Sequence, residues 1–289
     1  MSNILEDLSV PAMVTAIEDN LFTFFSSIWR FWPSVELHDD PDMLWSITDI
    51  PFPLFNSVLH AQLTPDNLDA SIEISKDRYT SRNVPMMWWT GPATRPLDLG
   101  THLERHGFSH DEEMPGMAAD LMKLNEGLPT PSGLIIEQVS NMETLKQWCH
   151  VATVGFEFPE AVVKDFFDMF SSSGFGAELP IRNYLGWLKG EPVATSTLVF
   201  GAGVAGIYDV ATLSEARQKG IGAATSDHSN YLLPNRLLFL LECSAQRINT
   251  FPSEAPSLMV SSPVSAIQPP HQLVSTPSLA FRLARPRVF

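Results

Sequence analysis

The chain has 289 residues, enough for two modest hydrophobic cores, and its 44% hydrophobic and 18% charged residues exclude disorder throughout. Its formal net charge of −15 argues against a nucleic acid or an anionic membrane as partner, because phosphate groups are bound by clustered Lys and Arg. An acidic surface suits basic or amine-bearing small substrates.

The cysteines and the N-terminus predict a cytoplasmic protein. Cys149 and Cys243 form no CxxC or metal-type spacing, which indicates reduced thiols and no metal site. Glu6 and Asp7 stand where a secretory signal would carry Lys or Arg. The most apolar run, LLFLLEC at 237–243, is too short to span a bilayer.

Residues 1–127 alternate helical and strand patterns. Apolar residues recur at helical spacing in PAMVTAIEDNLFTFFSSIWRFW, and NVPMMWWTGP is a short apolar run closed by Gly-Pro. RPLDLGTHLERHGF predicts a short helix with Asp98 as N-cap and Gly107 as its stop. NEGLPTPSG, rich in Pro and Gly, predicts a linker to the next region.

Residues 128–229 have a more regular pattern. GLIIEQVS indicates a strand, and METLKQWCHVATVGF and PEAVVKDFFDMFSSSG indicate two amphipathic helices. IRNYLGWLKG, PVATSTLVFGAG and VAGIYDVATL predict three strands joined by tight turns. The sequence therefore predicts an α/β protein of the α+β type with a mixed sheet.

Residues 230–289 differ in composition. They contain eight prolines and eight serines but no Gly, Asp or Lys, and five Arg against two Glu give a charge of +3. This composition is typical of a segment that need not fold, so we expect a poorly ordered tail.

The segment RQKGIGAA carries the clearest chemical signal. Arg217 begins the pattern Arg-x-x-Gly-x-Gly, completed by Gly220 and Gly222, directly after the predicted strand GIYDVATL. A strand that turns through glycines into a helix exposes backbone N–H groups at the positive end of the helix dipole, where a pyrophosphate can bind. For the glycines alone, an ordinary strand-to-helix turn is an equally good interpretation.

Residues 133–226 resemble the GNAT N-acetyltransferase superfamily, and VATLSEARQKGIGAA is similar to its acetyl-coenzyme A signature, motif A. The order of strand, two helices, three antiparallel strands, turn and helix matches the first half of that fold. The resemblance implies transfer of an acetyl group from acetyl-CoA to an amine, either a small molecule or an N-terminal or lysine amine. It implies coenzyme contacts from the strand residues Val210, Ala211 and Thr212 and from the turn residues Arg217, Gln218, Lys219, Gly220, Ile221, Gly222 and Ala223.

Three residues are candidates for the catalytic acid or base. Asp209 and Tyr208 lie on the predicted coenzyme strand, and alternation along a strand would point them to opposite faces. Glu157 lies between the two helices and could approach an amine from the substrate side. For each of the three, a solvated surface position is the alternative.

The same family offers an interpretation of both ends of the chain. VPMMWWTGPATRPLDLGTHLERHGF resembles a diverged copy of its strand and helix elements, which predicts a tandem architecture with the phosphate turn only in the second copy. After Ser226 the family pattern of a fifth strand and a final strand pair is not recognisable. We therefore expect an incomplete second copy, in which the edge of GIYDVATL is unpaired.

Two other motifs are better explained without a ligand. GAGVAG at 201–206 matches GxGxxG but continues as strand, which indicates a hairpin connection rather than a dinucleotide site. His102, His106 and His110 recur every fourth residue but lack the HExxH order of a zinc protease, which favours surface histidines.

Two functional hypotheses follow. The first is an acetyl-CoA dependent N-acetyltransferase, whose activity the incomplete second copy would compromise. The second is a non-catalytic GNAT-like module that binds coenzyme A or a protein.

Overall fold

We analysed a computed structural model of the chain, which describes residues 4–120, 130–175, 179–230, 237–241 and 280–286. Within these ranges, the helices are α1 (Val10–Trp29), α2 (Leu68–Ser81), α3 (Leu99–Arg105), α4 (Met142–Gly155), α5 (Val163–Ser173) and α6 (Ile221–Asn230). The strands are β1 (Glu36–Asp40), β2 (Met43–Ile47), β3 (Ser57–Leu59), β4 (Met87–Thr90), β5 (Phe108–Asp120), β6 (Leu134–Gln138), β7 (Ile181–Leu188), β8 (Glu191–Gly201), β9 (Val204–Thr212), β10 (Leu237–Leu241) and β11 (Ala280–Pro286).

The strands form one mixed sheet in the order β1-β2-β3-β4-β11-β5-β10-β9-β8-β7-β6. The long strand β5 joins its two parts, because residues 108–115 pair with β11 and residues 116–120 pair with β10. The predicted α/β class with a mixed sheet is confirmed.

The sheet contains the same pairing pattern twice. β1 and β2 pair antiparallel, β2 and β3 pair antiparallel, and β3 and β4 pair parallel. The four strands from β7 to β10 repeat these three pairings in the same order. In each set a helix follows the third strand, α2 after β3 and α6 after β9. A tandem architecture is therefore present in the fold, with β3 and β9 as equivalent strands.

One expectation about the C-terminal region is wrong. Residues 237–241 form β10, which lies parallel to β9 and pairs with its residues 205–207. The edge of β9 is therefore paired at that end, because the apolar run LLFLLEC supplies the neighbouring strand. Residues 280–286 also form a strand, and the rest of the predicted tail lies outside the described residues.

Helix α1 belongs by sequence to the first region but packs against the hairpin of β8 and β9. A Cβ atom at Gly201 would lie 2.6 Å from Thr23 Oγ1, and one at Gly206 would lie 2.1 Å from Asn20 Oδ1. Gly201 and Gly206, the outer glycines of GAGVAG, therefore allow a close helix–sheet approach. Between them the chain reverses through Ala202 and Gly203, both with positive φ, so the predicted hairpin is confirmed.

Two groups of buried side chains hold the helices on the sheet. The larger core lies among α1, α4, α5 and the sheet and contains Trp29 and Trp148. The smaller core surrounds α2, α3 and Trp88. At the start of α4, Asn141 and Thr144 form a capping box, which satisfies the first backbone N–H groups of that helix.

Candidate functional site

The turn between β9 and α6 leaves a run of backbone N–H groups uncommitted. The chain enters the left-handed region at Gln218 (φ 61°) and Gly220 (φ 76°) before α6 begins. No amide nitrogen of residues 218–223 donates a hydrogen bond to another described residue, whereas the amide of Ala224 donates to the Gly220 carbonyl at 3.0 Å. These N–H groups lie at the positive end of the α6 dipole, so the turn can bind an anion.

The two glycines keep this turn uncrowded for different reasons. A Cβ atom at Gly220 would have only Pro131 Cγ nearby, at 3.9 Å, but the positive φ of this residue favours glycine. A Cβ atom at Gly222 would lie 3.2 Å from Thr212 Oγ1. A side chain at either position would therefore strain or crowd the turn.

The side chains of Arg217 and Lys219, the two cations of the motif, stabilise the turn through hydrogen bonds to backbone carbonyls. Arg217 Nε donates to the carbonyl of Thr212 at 2.8 Å, which ties the turn to the end of β9. Lys219 Nζ donates to the carbonyl of Glu215 at 2.7 Å. The first turn of α6 contains no acidic residue, so no carboxylate competes there with an anionic ligand.

Beside the turn, residues 210–212 of β9 are paired on one edge only among the described residues. On the β8 side, Ala211 pairs with Thr195 and Thr212 pairs with Ala194. On the β10 side, pairing among the described residues covers only 205–207. The backbone of residues 210–212 can therefore pair with an extended ligand on that edge.

The equivalent turn of the first copy, residues 60–67, is closed by the chain itself. The amide of Gln62 donates to Asp42, that of Leu63 donates to Arg95 at 2.9 Å, and that of Thr64 donates to the Asn67 side chain. An isolated parallel bridge between Gln62 and Arg95 continues the β3 and β4 pairing, whereas β9 and β10 show no pairing beyond residue 207 among the described residues. This turn offers no comparable row of free amides.

Strand β9 contains a β-bulge at Asp209. The register between β8 and β9 shifts between Thr195 and Thr197, and Asp209 adopts a positive φ of 51°. Strict alternation therefore fails here. The prediction that Tyr208 and Asp209 point to opposite faces is wrong. Tyr208 packs on Phe24 of α1, and the Asp209 carboxyl group lies beside Thr197, the register partner of Tyr208, and near Cys149 of α4.

The Asp209 carboxyl group has an unusual environment. Its Oδ2 atom is buried and has no hydrogen-bond partner among the described residues. Burial raises the pKa of Asp209 to about 7, and a hydrogen bond with the Thr197 side chain opposes that rise. Asp209 is close enough to Cys149 of α4 to add to the rise that burial causes in the thiol pKa.

The other two candidate residues lie in different surroundings. Tyr208 is buried, and its hydroxyl donates to Asn20 Oδ1 at 2.7 Å. Burial raises the pKa of Tyr208 well above its ordinary value, so it stays protonated. Glu157 is exposed, with a positive φ of 54°, in the segment between α4 and α5. The structure therefore brings Tyr208 and Asp209 together and leaves Glu157 at the surface.

Sequence reasoning missed the residues that hold the bulge. Thr195 Oγ1 donates to the backbone carbonyl of Asp209 at 2.7 Å, and Thr197 contacts its carboxyl group. Both threonines are completely buried. The polar run Thr-Ser-Thr inside an otherwise apolar strand was the available signal, because buried hydroxyls require partners.

Among the predicted surface histidines, His106 links the end of α3 to α2, and His102 pairs with the residue that precedes α3. His106 lies 2.6 Å from Glu73 Oε1 and 3.0 Å from Asp69 Oδ1, and His102 lies 3.5 Å from Asp98 Oδ2. The hydrogen bond to Glu73 is the largest cause of a raised pKa for His106. No group of metal-ligating side chains is found among the described residues.

Comparison with known proteins gives a result at the level of the fold. No protein-family model matches the chain. No curated protein matches it in sequence. Solved structures do match: a GCN5-related N-acetyltransferase from Kribbella flavida superposes with a TM-score of 0.65 at 14% identity, over 98% of each chain.

The chain has the fold of the GCN5-related N-acetyltransferases (GNAT fold). A second such protein, from Sphaerobacter thermophilus, has a TM-score of 0.56 at 14% identity and covers 95% of this chain and 91% of its own. A tandem GNAT protein from the clavulanic acid biosynthesis pathway, solved without acetyl-CoA, has a TM-score of 0.53 at 12% identity, with 98% and 97% covered. Within the part of the GNAT fold described here, no helix is long and apolar enough to cross a membrane.

Proposed function

We propose that the chain is an N-acetyltransferase that takes an acetyl group from acetyl-CoA and transfers it to an amine. The observation that carries this proposal is the row of uncommitted amides at residues 218–223, beside an edge of β9 that has no partner at residues 210–212 among the described residues. The GNAT fold alone supports a general acyltransferase class.

The turn fits the coenzyme in shape and charge. The amides of residues 218–223 would hold its pyrophosphate, with Gly220 and Gly222 leaving the approach clear. The backbone of residues 210–212 would pair with the extended pantetheine arm. Arg217 and Lys219 would act through the conformation of the turn, because their side chains bind backbone carbonyls. Bound acetyl-CoA supplies a thioester, an acetyl group activated for transfer.

Asp209 is our candidate for the general base. A pKa near 7 allows a carboxylate to be ionised at neutral pH and still basic enough to accept a proton from an ammonium group. The buried Oδ2 atom has no hydrogen-bond partner among the described residues, so it can accept a hydrogen bond from such a donor. Tyr208 is fully engaged with Asn20 and Glu157 is exposed, so neither is preferred for this step.

We infer an amine acceptor, either a small molecule or an N-terminal or lysine amine. The net charge of −15 supports a cationic acceptor, because a negative surface attracts it. We also propose a cytoplasmic location, which suits Cys149, a buried free thiol.

Calorimetry with acetyl-CoA, followed by a thiol-release assay over a panel of amines, tests the proposal. We expect binding, and release of coenzyme A with at least one amine. Binding without release over the whole panel would favour a non-catalytic coenzyme-binding module. Neither binding nor release would contradict both hypotheses.

A further inference from the structure

Asn20 is a completely buried polar residue on α1, outside the proposed site. Its Oδ1 atom accepts the hydrogen bond from the Tyr208 hydroxyl at 2.7 Å. Its Nδ2 atom donates to the carbonyls of Val199 at 3.2 Å and Gly201 at 3.1 Å. The amide group is therefore bound to both strands of the β8 and β9 hairpin.

Helix α1 also fixes the Tyr208 ring in place. The ring stacks on Phe24 with centroids 4.5 Å apart and planes 4° apart. A Cβ atom at Gly206 would lie 2.6 Å from Tyr208 Cε2 and 2.1 Å from Asn20 Oδ1. The Tyr208 ring and the Asn20 amide thus share the space above one glycine, which leaves the ring little freedom to move.

Tyr208 is the residue immediately before the bulge. Asp209 adopts a left-handed backbone conformation. Tyr208, which packs on α1, precedes it, and the Asp209 backbone carbonyl accepts a hydrogen bond from Thr195 Oγ1 at 2.7 Å. A positive φ is unfavourable at a residue other than glycine and persists only where neighbouring contacts enforce it. Asn20 binds the residue before the bulge, and Thr195 binds the bulged residue itself.

We propose that Asn20 is a positioning residue for acetyl transfer, which acts through Tyr208 to hold Asp209 in the geometry of the bulge. This role rests on the proposed function. With this role, the geometry of Asp209 in the second copy depends on α1, a helix that belongs to the first region of the chain. Asn20 itself touches no reacting atom.

The first test measures Asp209 directly and needs no turnover. The ¹³C chemical shift of the Asp209 carboxyl group is followed against pH in the wild type, in Asn20→Ala and in Thr23→Ala. Thr23 packs on Gly201 in the same helix–hairpin contact but does not bind Tyr208, so it is a matched control. We expect the Asn20→Ala midpoint to move by about half a pH unit or more and the Thr23→Ala midpoint to stay close to the wild type.

The second test is kinetic. Asn20→Ala should lower kcat about 10- to 100-fold, because a misplaced catalytic group loses orientation, and should leave the acetyl-CoA Kd within about twofold. Tyr208→Phe removes the same hydrogen bond and keeps the ring on Phe24, so it serves if Asn20→Ala does not fold. The double variant should be no slower than the slower single variant, since both act through one contact.

An unchanged Asp209 midpoint in both Asn20→Ala and Tyr208→Phe would overturn the positioning role. Independent, multiplying losses of kcat in the double variant would overturn it as well. A wild-type chain that binds no acetyl-CoA and releases no coenzyme A would instead remove the proposed function. The carboxyl titration would still decide whether Asn20 controls Asp209.

Discussion

The Oε2 atom of Glu18 accepts a hydrogen bond from the backbone nitrogen of Ala93 at 2.7 Å. Glu18 is 2% exposed, and it lies two positions before Asn20 on α1. One helix thus binds the segment after β4 through Glu18 and the β8 and β9 hairpin through Asn20. Burial raises the pKa of Glu18 to about 7, with nearby Asp19 adding to the rise and the Ala93 amide and Arg95 opposing it.

The Glu18 contact predicts a dependence of stability on pH. A raised folded-state pKa means that the contribution of Glu18 is fully present below pH 4.5 and is lost as pH rises through about 7. Relative to Glu18→Gln, the free energy of unfolding of the wild type should fall by about 3 kcal/mol over that interval. Urea denaturation of both proteins at about pH 5 and about pH 8 measures this difference.

Thr23→Ala, a substitution on the same helix that removes no titratable group, provides the control for this prediction. Its free energy of unfolding should differ from that of the wild type by a nearly constant amount at the two pH values. A constant difference for Glu18→Gln would show that the Glu18 carboxyl is not held in a buried, protonated state.

Gly220→Val should weaken acetyl-CoA binding by about 100-fold or more. The substitution strains a left-handed position and disturbs the amides around it, and the loss of two amide–phosphate hydrogen bonds at about 1.5 kcal/mol each has this effect. Calorimetry measures the Kd.

Two control variants separate a local effect from a general one. Gly174 also has a positive φ, and a Cβ atom there would have no neighbouring atom within 4 Å, but it lies at the end of α5, away from the turn. Gly174→Val and His102→Ala should both leave the Kd unchanged. Equal losses in all three variants would place the coenzyme elsewhere.

The motif was visible in the sequence because its chemistry is local. Gly220 and Gly222, the strand before them and the helix after them are neighbours along the chain, so the spacing offered an anion-binding turn as one of two equal interpretations, and the family resemblance favoured it. The bulge at Asp209 depends on a hydrogen bond from Thr195, 14 residues away, and Tyr208 before it depends on Asn20, 188 residues away. The Thr-Ser-Thr run signals buried hydroxyls that need partners, but no local pattern encodes which residues form these two contacts.

Strand β10 was missed for a related reason. The run LLFLLEC was recognised as apolar, but a short apolar run is compatible with a buried strand or a buried helix. Its pairing with β9 on one side and β5 on the other is set by tertiary structure. The proline-rich composition that follows it favoured a tail rather than a strand.

Asp209→Asn should lower kcat by about 100- to 10,000-fold while the acetyl-CoA Kd stays nearly unchanged, because the amide cannot accept a proton. In the wild type, kcat/KM should fall as pH drops below about 7, where Asp209 becomes protonated. Steady-state kinetics over this range measure both effects. An Asp209→Asn variant with the wild-type rate and pH profile would exclude Asp209 as the base.

Calorimetry should find one acetyl-CoA bound per chain. The amides of Gln62 and Leu63 in the first copy donate to Asp42 and Arg95, so that turn has no free row of N–H groups. Gln62→Gly removes only the side-chain hydrogen bond to the Ala93 carbonyl, so it should not create a second site, because the backbone bonds to Asp42 and Arg95 remain. A stoichiometry of two in the wild type would contradict this account of the first copy.

The most direct measurement of the central claim is a ¹⁵N–¹H NMR titration with acetyl-CoA. We predict that the backbone amide resonances of residues 218–223 shift as the coenzyme is added, with the proton shifts of amides that donate to a phosphate moving downfield. Shifts confined to residues 60–67, or no shift in residues 218–223 at saturating coenzyme, would contradict the assignment of this turn as the pyrophosphate site.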